Sequence, residues 1–401
     1  MILRSLHSIA SALLFVSLSS GVHAAEWYVD GSVSESGDGK TWGTAFQTIQ
    51  VGIDAASDGD TVIVAEGIYL ENIHFKGNNI RLMSTDPLDP DVVANTIIDG
   101  SQAGSVVIFA GEEDQTCVLS GFTIRNGSGS AGGGICGNGT HATIENNVIT
   151  HNSARYYGWP MGGGGLCHCD GTIRNNVIIG NSAGWGGGLA FCGGTIERNV
   201  ISGNLAWPSG GGGLAFCGGI IRNNVIIGNS AGRGGGLYRC DGTITNCIIW
   251  RNVATDGSQL IDSSAPTYSC IEGWTGGDEG NISEDPRFVD ADNGNFRLLP
   301  SSPCIDAGSL SAALRPWVSL PGEGARLSWS LGEDLDGNPR ISGKGIDMGA
   351  YEYQTGWVNF RVEYSSDLET WQEAITTSGL EWLDDEIQGM KGRFYRVSVS
   401  P

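Results

Sequence analysis

The sequence predicts an all-β protein whose main body is a right-handed parallel β-helix, a solenoid in which each turn of chain stacks on the previous one. Three observations predict this fold class: a repeat with a period near 23 residues, the absence of helix-forming sequence inside the repeat, and columns of like residues when the repeats are aligned. A short capping helix is expected before the solenoid, and a small β-sandwich-like appendage after it.

The repeat is clearest in residues 172–252, where three near-copies follow each other: TIRNNVIIGNSAGWGGGLAFCGG, TIERNVISGNLAWPSGGGGLAFCGG and IIRNNVIIGNSAGRGGGLYRCDG. Aligned isoleucines recur at steps of 23, 25 and 23 residues, and they are Ile173, Ile196, Ile221 and Ile244. Leu189, Leu214 and Leu237 form a second apolar column. We expect both columns to be buried and stacked, with successive coils ~4.8 Å apart.

The composition of each repeat excludes helical solenoids. Two short β-rich runs, such as 172–179 and 189–192, are separated by Asn and by runs of three or more Gly. Each Gly would cost a helix about 1 kcal/mol relative to Ala, whereas Gly suits tight corners between strands. A leucine-rich repeat needs several Leu per unit, and these units have about one.

Two columns of asparagine accompany the apolar ones. The first holds Asn147, Asn176, Asn199 and Asn224, and the second holds Asn126, Asn152, Asn181, Asn204, Asn229 and Asn252. Asn tolerates the left-handed backbone region, and its amide can bond the amides above and below it. We therefore expect both columns at corners, as structural ladders.

Residues 27–82 read as an N-terminal cap. Phe46, Ile49, Ile53 and Ala56 fall at helical spacing, with Thr44 as the expected N-cap, and strands are expected at 61–64 and 80–82. A solenoid needs such a cap because an uncovered end coil would pair with another chain.

The first 24 residues have the pattern of a secretory signal peptide. Arg4 precedes an apolar run at 13–16, and Val22, His23 and Ala24 form a small-residue cleavage signature. The mature chain is expected from about Ala25, and no later apolar stretch is long enough for a membrane span. We expect a secreted, extracellular or cell-surface protein, released or retained non-covalently.

Charge limits the choice of partner. The 401 residues carry a formal net charge of −22, which disfavours nucleic acid. Residues 117–260 differ from the rest, because they contain eight Arg and only five Asp or Glu. The repeat body is therefore weakly basic between acidic flanks.

Several polar residues are candidates for metal, redox or ion-pair chemistry. Cys169, Cys192, Cys217 and Cys240 form one column, for which a free-thiol ladder is favoured over disulfides. The 167–170 run, Cys-His-Cys-Asp, lacks the spacing of a zinc site. Asp334, Asp336 and Asn338 suit a side-chain-bonded turn better than a calcium loop, since Pro339 stands where an EF-hand has Gly. The sequence thus predicts no metal and no cofactor.

One further column alternates in charge along the repeats. Glu145, Arg174, Glu197 and Arg222 occupy equivalent positions, and stacking would make them a ladder of exposed ion pairs. Each such pair contributes under ~1 kcal/mol, so the ladder is expected to set register more than stability.

Longer motifs carry a resemblance to a known family. WYVDGS at 27–32, the run 39–73, IIDG at 97–100 and GFTIRNG at 121–127 resemble exported bacterial right-handed parallel β-helix proteins of the pectate-lyase-like superfamily. EDPRFVDADNGNFRLLPSSPCIDAGS at 284–309 and DLDGNPRISGKGIDMGAYEY at 334–353 resemble the choice-of-anchor Q domain. The GGGL and GN motifs also resemble polymorphic outer-membrane protein repeats. The resemblance implies this fold and export, but the family mixes lyases, hydrolases and proteins without known activity.

These patterns divide the chain into five segments. They are a signal peptide (1–24), an N-terminal cap with the first coils (25–110), central repeats (111–275), terminal coils with the choice-of-anchor Q-like region (276–353) and a small β module (354–401).

Catalysis is one candidate function. A lyase acting on a uronic-acid polymer needs a carboxylate neutraliser, a base and an acid close together. No Lys lies between Lys76 and Lys344, so the set that consecutive coils could supply is His151, Tyr156, Tyr157 and Arg174.

The favoured function is recognition of an acidic polysaccharide or cell-surface glycan without catalysis. Large residues recur after each corner Asn, and two coils are lengthened there, at 155–161 and 207–209. The predicted binding residues are Tyr156, Tyr157, Trp159, Arg174, Trp185, Trp207 and Arg233, with Arg155 as a further cation. Aromatic rings can cover the C–H faces of sugars, and Arg can bind carboxylate or sulfate. A polysaccharide lyase and a structural or adhesive surface protein are the alternatives, and a structural role of the aromatics is a further one.

Overall fold

The repeats form the coils of a right-handed parallel β-helix of about eight turns, which confirms the predicted fold class. The computed structural model describes residues 24–154, 162–277, 279–310 and 333–354, and five further strands by their backbone. Neighbouring coils pair in parallel and in register, so that Ile173 faces Ile196 and Ile196 faces Ile221.

Four parallel sheets run along the solenoid, and we number them in the order in which each coil crosses them. Sheet 1 consists of Glu26–Val29, Thr61–Val64, Arg81–Ser84, Val118–Ser120, Thr143–Glu145, Thr172–Arg174, Thr195–Glu197, Ile220–Arg222 and Thr243–Thr245. Sheet 2 consists of Gly67–Tyr69, Thr96–Asp99, Thr123–Arg125, Val148–Thr150, Val177–Ile179, Val200–Ser202, Val225–Ile227, Ile248–Trp250 and Cys270–Ile271. In the coils from 143 to 250, a left-handed residue such as Asn175, with φ of 54°, separates the two sheets, so the single run predicted at 172–179 is two strands.

The remaining two sheets complete each coil. Sheet 3 consists of Ser128–Gly129, Ser153–Ala154, Ser182–Ala183, Leu205–Gly210, Ser230–Arg233 and Val253–Asp256. Sheet 4 consists of Ile73–His74, Val107–Ile108, Ile135–Thr140, Leu166–Cys169, Leu189–Ala190, Leu214–Ala215, Leu237–Tyr238 and Leu260–Ile261. Sheet 3 was not predicted, because three of its six strands are only two residues long and consist of Ser, Ala or Gly.

The core of the solenoid holds the predicted apolar columns. Ile173, Ile196, Ile221, Ile244, Leu189, Leu214 and Leu237 are all at most 1% exposed and belong to one cluster. The cysteine column Cys169, Cys192, Cys217 and Cys240 lies in the same core as free thiols, as predicted. Burial and the neighbouring thiols raise the pKa of Cys169 and Cys217, so both stay protonated.

The asparagine columns are ladders inside the structure, but their backbone differs from the prediction. Asn176 is fully buried, whereas the left-handed residue is the preceding Asn175. Asn126 does not belong to the second column: the backbone N–H of Gly127 donates to Oδ1 of Asn152, so Gly127 is the stacked position. Asn126 is instead one of the left-handed residues, with φ of 57°.

The N-terminal cap contains a helix at Ile49–Ala55, shorter than predicted and capped differently. Thr44 ends the 3-10 helix Trp42–Thr44, and Phe46 pairs with Val29 as extended backbone. The first helical N–H groups, those of Ile49 and Gln50, donate to the carboxylate of Glu71. The strand Thr61–Val64 is as predicted, and the strand predicted at 80–82 is Arg81–Ser84.

Other short elements lie outside the four sheets. A helix spans Pro90–Asn95, a 3-10 helix spans Ala291–Asn293, and Phe288–Asp290 pairs with Asn295–Leu298. At the C-terminus, Asn359–Ser365 pairs antiparallel with Gln372–Thr377 and Phe394–Ser400, and Arg326–Ser328 pairs with Glu381–Leu383. Within the described residues, no helix has the length and apolar character that crossing a membrane requires.

The terminal segment 333–354 packs on the outside of sheet 2. Val200, Val225 and Ile248, which face outward, are buried in a second cluster with Met348 and Tyr351. The predicted ladder of exposed ion pairs differs from the structure at Glu197. Glu197 bonds Arg222 and Arg198 at 2.6 and 2.7 Å, but it is only 5% exposed rather than on an open surface.

The Asp334 turn is the side-chain-bonded turn that the sequence predicts. Oδ1 of Asp334 accepts from the backbone N–H groups of Asp336 and Asn338, and Oδ2 accepts from that of Glu352. Asp336 pairs with Arg297. The carboxylates of Asp334 and Asp336 therefore both have partners within the protein.

Candidate functional site

Glycine runs allow two backbone segments of each coil to pack closely against each other, and we call these two segments the arm. The arm consists of sheet 3 and the Gly runs at 162–165, 186–188, 210–213 and 234–236, which lie back to back. A Cβ on Gly187 would lie 2.6 Å from the backbone N and O of Leu205 in the next coil. Only Gly permits backbone segments to approach so closely. The Gly runs are thus a packing requirement, and they place residue 185 and its equivalents at the edge of the arm.

Trp185 folds from the edge of the arm onto sheet 4. Its ring lies 5.3 Å from the ring of Tyr238, stacked, and 5.3 Å from that of Phe216, edge to face. Tyr238 is only 2% exposed, whereas Trp185 is half-buried. Trp185 therefore has a packing role and still presents part of its surface to solvent.

An aromatic row lies beside Trp185 at the corner that follows sheet 4. We define it as His168, Phe191 and Phe216, which occupy the same place in three successive coils. Ring centroids are 5.1 Å apart between His168 and Phe191 and 4.9 Å apart between Phe191 and Phe216, with ring planes 13° and 2° from parallel. All three are half-buried.

The row is held by an unusual backbone conformation. His168, Phe191 and Phe216 have φ of 52°, 55° and 55°, a left-handed region that bulky residues seldom adopt. Such residues persist where surrounding structure over-determines them, and they cluster at functional sites. The sequence contains a signal for this row, because an aromatic residue precedes three of the four column cysteines, Cys169, Cys192 and Cys217.

A cluster of paired charges adjoins the row on its C-terminal side. We define the Arg–Asp cluster as Arg233, Arg239, Asp256 and Asp262. Arg233 contacts Asp256 at 3.2 Å and Asp262 at 3.9 Å, and Arg239 contacts Asp262 at 3.8 Å. All four side chains are about half exposed, between 46% and 55%. Two arginines and two aspartates give the cluster a formal charge of zero.

The cluster and the aromatic groups form one continuous surface. The guanidinium carbon of Arg239 lies 5.3 Å from the ring centroid of Tyr238 and 5.9 Å from that of Phe216. That of Arg233 lies 5.6 Å from Tyr238. The ring faces stabilise the cations and fix the direction of their N–H donors. The candidate surface is therefore Trp185, the aromatic row and the Arg–Asp cluster, with Tyr238 as its floor.

The predicted binding residues are only partly brought together. Trp185 and Arg233 occupy equivalent positions, since Gly163 donates to the carbonyl of Trp185 and Gly211 to that of Arg233. Trp207 is not in this column: two inserted residues displace it, and Gly210 pairs with Arg233 instead. A Cβ on Gly210 would lie 2.8 Å from the Tyr238 ring, so Gly210 makes room for that ring.

Trp207 lies on the other side of the arm. It is 63% exposed and lines a shallow groove with Ala154, Ser182, Ala183, Gly184 and Leu205. Arg174 is also separate, since it belongs to sheet 1 and pairs with Glu145 at 2.6 Å. Tyr156, Tyr157 and Trp159, with Arg155, lie outside the described residues.

The candidate catalytic set is separated in the same way. His151 follows sheet 2, where its Nδ1 is 2.8 Å from the hydroxyl of Thr150, whereas Arg174 lies on sheet 1. Asp347 and Glu352 have a pKa raised by burial to about 6 and about 9. Both are buried in the terminal segment, away from solvent. Across the described ranges, no cluster of three or more His, Cys, Asp or Glu side chains could hold a metal.

Comparison with solved structures finds similar chains, and we report one of them. No protein-family model matches the chain, and no curated protein matches it. The solved structure is described as "Crystal structure of pectate lyase Pel9A", with 15% sequence identity and a TM-score of 0.39, covering 83% of this chain and 98% of that chain.

Proposed function

We propose that the protein recognises a polysaccharide on the candidate surface and does not cleave it. The observation that carries this proposal is the Arg–Asp cluster, whose four half-exposed side chains adjoin half-buried aromatic rings on three successive coils. Sugars present apolar C–H faces and hydroxyl groups, which require aromatic surface and paired donors and acceptors respectively. The candidate surface supplies both.

The pairing of the arginines bears on which polysaccharide is bound. Arg233 and Arg239 each have a carboxylate partner within 4 Å, and Arg174 pairs with Glu145. An anionic glycan would have to compete with these carboxylates for the guanidinium groups. Hydroxyl groups can instead accept from Arg and donate to Asp without separating the pair. We therefore favour a glycan that binds mainly through hydroxyls, in place of the acidic glycan that the sequence suggested.

The direction of the stack is also informative. Successive coils repeat at ~4.8 Å, close to the length of one sugar unit in an extended chain. Phe191 and Phe216 stack face to face, so they present ring edges as well as part of their faces along the row. A chain lying along the solenoid axis would meet one aromatic group per coil and then reach the Arg–Asp cluster.

The test is affinity electrophoresis of the full chain in gels that contain neutral and anionic polysaccharides. The variant is Arg239→Ala, and its matched control is Arg251→Ala. Both arginines have left-handed backbones, with φ of 50° and 51°, equal exposure of 53%, and one aspartate partner. Only Arg239 lies on the candidate surface.

The expected result is retardation of the parent and of Arg251→Ala on at least one glycan, and loss of that retardation in Arg239→Ala. Binding through hydroxyls should change little with added salt, because the cluster has no net charge. Equal retardation of all three proteins on every glycan, or release of unsaturated uronate from any of them, would contradict the proposal. Uronate release would favour the lyase alternative.

A further inference from the structure

Two cysteines from different parts of the chain meet on the outside of sheet 2. Cys270 belongs to the last strand of that sheet, and Cys304 belongs to the region that follows the solenoid. Both are 0% exposed and lie in the second apolar cluster, together with Phe296, Leu298 and Met348. Their side chains are therefore packed inside the junction between solenoid and terminal region.

The two thiols are direct neighbours. Both are free thiols in the structure, and their side chains interact with each other. The thiol of Cys270 also donates to the carbonyl of Glu284 at 3.2 Å. The backbone around each is fixed: Cys270 bridges to Ile282, and the carbonyl of Cys304 accepts from the N–H of Met348 at 3.0 Å. The pair is thus held together by structure on both sides.

This pair differs from the cysteine column of the core. Cys192 and Cys217 lie on consecutive coils in parallel register, where the ladder holds their Cβ atoms farther apart than a disulfide prefers. Cys270 and Cys304 do not lie at equivalent positions of consecutive coils, since Cys304 belongs to the region after the last solenoid strand, Cys270–Ile271. The in-register spacing that disfavours a bridge between consecutive coils therefore does not apply to this pair.

We propose that Cys270 and Cys304 form a disulfide that fastens the terminal region to the last coil of the solenoid. In this reaction each thiol loses a proton and one electron, and one S–S bond forms. The oxidant is a disulfide compound, either a small molecule such as oxidised glutathione or a protein of the thiol oxidoreductase class. It accepts the two electrons and two protons as its own S–S bond breaks into two thiols.

The bond forms during folding rather than afterwards. The adjacent Cys304 thiol and burial raise the pKa of Cys270, and only a thiolate attacks a disulfide. In the folded chain the pair is therefore protected from oxidants and, once joined, from reductants. The inference is independent of glycan binding, because neither cysteine belongs to the candidate surface.

Non-reducing peptide mapping tests the bond directly. The full chain is reduced and unfolded, then refolded with a mixture of reduced and oxidised glutathione, and free thiols are alkylated before proteolysis. The expected product is a peptide containing Cys270 joined to one containing Cys304, which separates on reduction. Complete alkylation of both cysteines, or joining of either to another cysteine, would overturn the proposal.

Limited proteolysis tests the consequence. Cleavage within residues 279–310 should become at least about tenfold faster when the refolded protein is reduced, because the closed loop restrains opening of this region. The variant Cys304→Ser should show the same fast cleavage with and without reductant. Cys117→Ser, which removes a buried thiol elsewhere in the core, should keep the difference. If reduction has no effect on the parent, the fastening role is refuted even where the variant fails to fold.

Discussion

Asn176 and Asn199 are joined twice, because both the backbone N and the Nδ2 of Asn176 donate to Oδ1 of Asn199, at 2.9 and 3.1 Å. The same two hydrogen bonds link Asn199 to Asn224. The Nδ2 of Asn199 also donates to the carbonyl of Ile173 at 2.9 Å. Each asparagine therefore holds the coil before it and the coil after it. In the second column this series ends where Asn252 donates to Gln259 and Gln259 donates to the carboxylate of Glu272.

Replacing Asn199 with Ala should weaken the middle of the solenoid. The change removes an acceptor for two donors of Asn176 and leaves the carbonyl of Ile173 without its side-chain donor, all in a fully buried position. We expect a loss of about 3 kcal/mol in the free energy of unfolding, since each unsatisfied buried group costs about 1 to 3 kcal/mol. Urea unfolding measures it. The control is Asn95→Ala, at an exposed helix end. Equal stability of the two variants would contradict a stabilising role of the asparagine ladder.

Gly187→Ala should destabilise the arm, whereas Gly218→Ala should not. A Cβ on Gly187 would lie 2.6 Å from backbone atoms of Leu205, while one on Gly218 would meet nothing within 4 Å. Neither glycine has a positive φ, so steric overlap is the difference between them. Overpacking of this kind costs about 1 to 3 kcal/mol, and Gly→Ala in open space is neutral or slightly stabilising. Thermal melting of the pair decides, and similar melting temperatures would refute the close approach.

The terminal segment should become less stable as the pH rises. Burial raises the pKa of Glu352 to about 9 despite Arg340 at 3.5 Å, and that of Asp347 to about 6. The folded chain therefore binds these protons more tightly than the unfolded chain. Their contribution to stability is fully present below the unfolded pKa values and is lost as the pH rises through the folded ones, by at most about 1.4 kcal/mol per unit for each group.

Glu352→Gln tests this dependence. Its loss of an acceptor for the N–H of Ser342 or Asp347 should lower stability at low pH. The decline in melting temperature between about pH 5 and about pH 9 should nevertheless be smaller than in the parent. Glu66→Gln, at an exposed position, should leave the decline unchanged. A steeper decline in Glu352→Gln than in the parent would contradict the assignment.

The solenoid could be predicted from the sequence because its columns repeat. Ile196 pairs with an isoleucine in the coil on either side, Ile173 and Ile221, so periodicity alone indicates that it is buried. The cap was less predictable, since Phe46 falls at helical spacing with Ile49 and yet pairs with Val29. A match to helical period at one residue cannot reveal a strand partner that is distant in the chain.

The candidate site was harder to predict for two physical reasons. An insertion changes which residues are equivalent: Trp207 and Trp185 align in the sequence, but the structure pairs Gly210 with Arg233. A repeat pattern also does not reveal covering segments, so the burial of Val200, Val225 and Ile248 beneath the terminal segment could not be foreseen. Phe191 and Phe216 were overlooked because an aromatic residue between Ala and Cys looks like core.

Substitution of two predicted binding residues, Trp185 and Trp207, should affect glycan binding differently. Trp185 stacks on Tyr238 and meets Phe216, so it belongs to the candidate surface, whereas Trp207 lies on the opposite side of the arm. We expect Trp185→Ala to weaken glycan binding at least about tenfold, because truncating a central aromatic contact costs ~2 kcal/mol or more. Trp207→Ala removes the more exposed ring, 63% against a half-buried one, and should leave binding within about twofold of the parent.

Affinity electrophoresis of the two single variants, with melting temperatures recorded for both, separates a binding role from a packing role. If Trp207→Ala alone abolishes retardation, the glycan lies on the outer face of the arm and the candidate surface is wrong. If Trp185→Ala retains full retardation while melting earlier, Trp185 serves only to cover Tyr238.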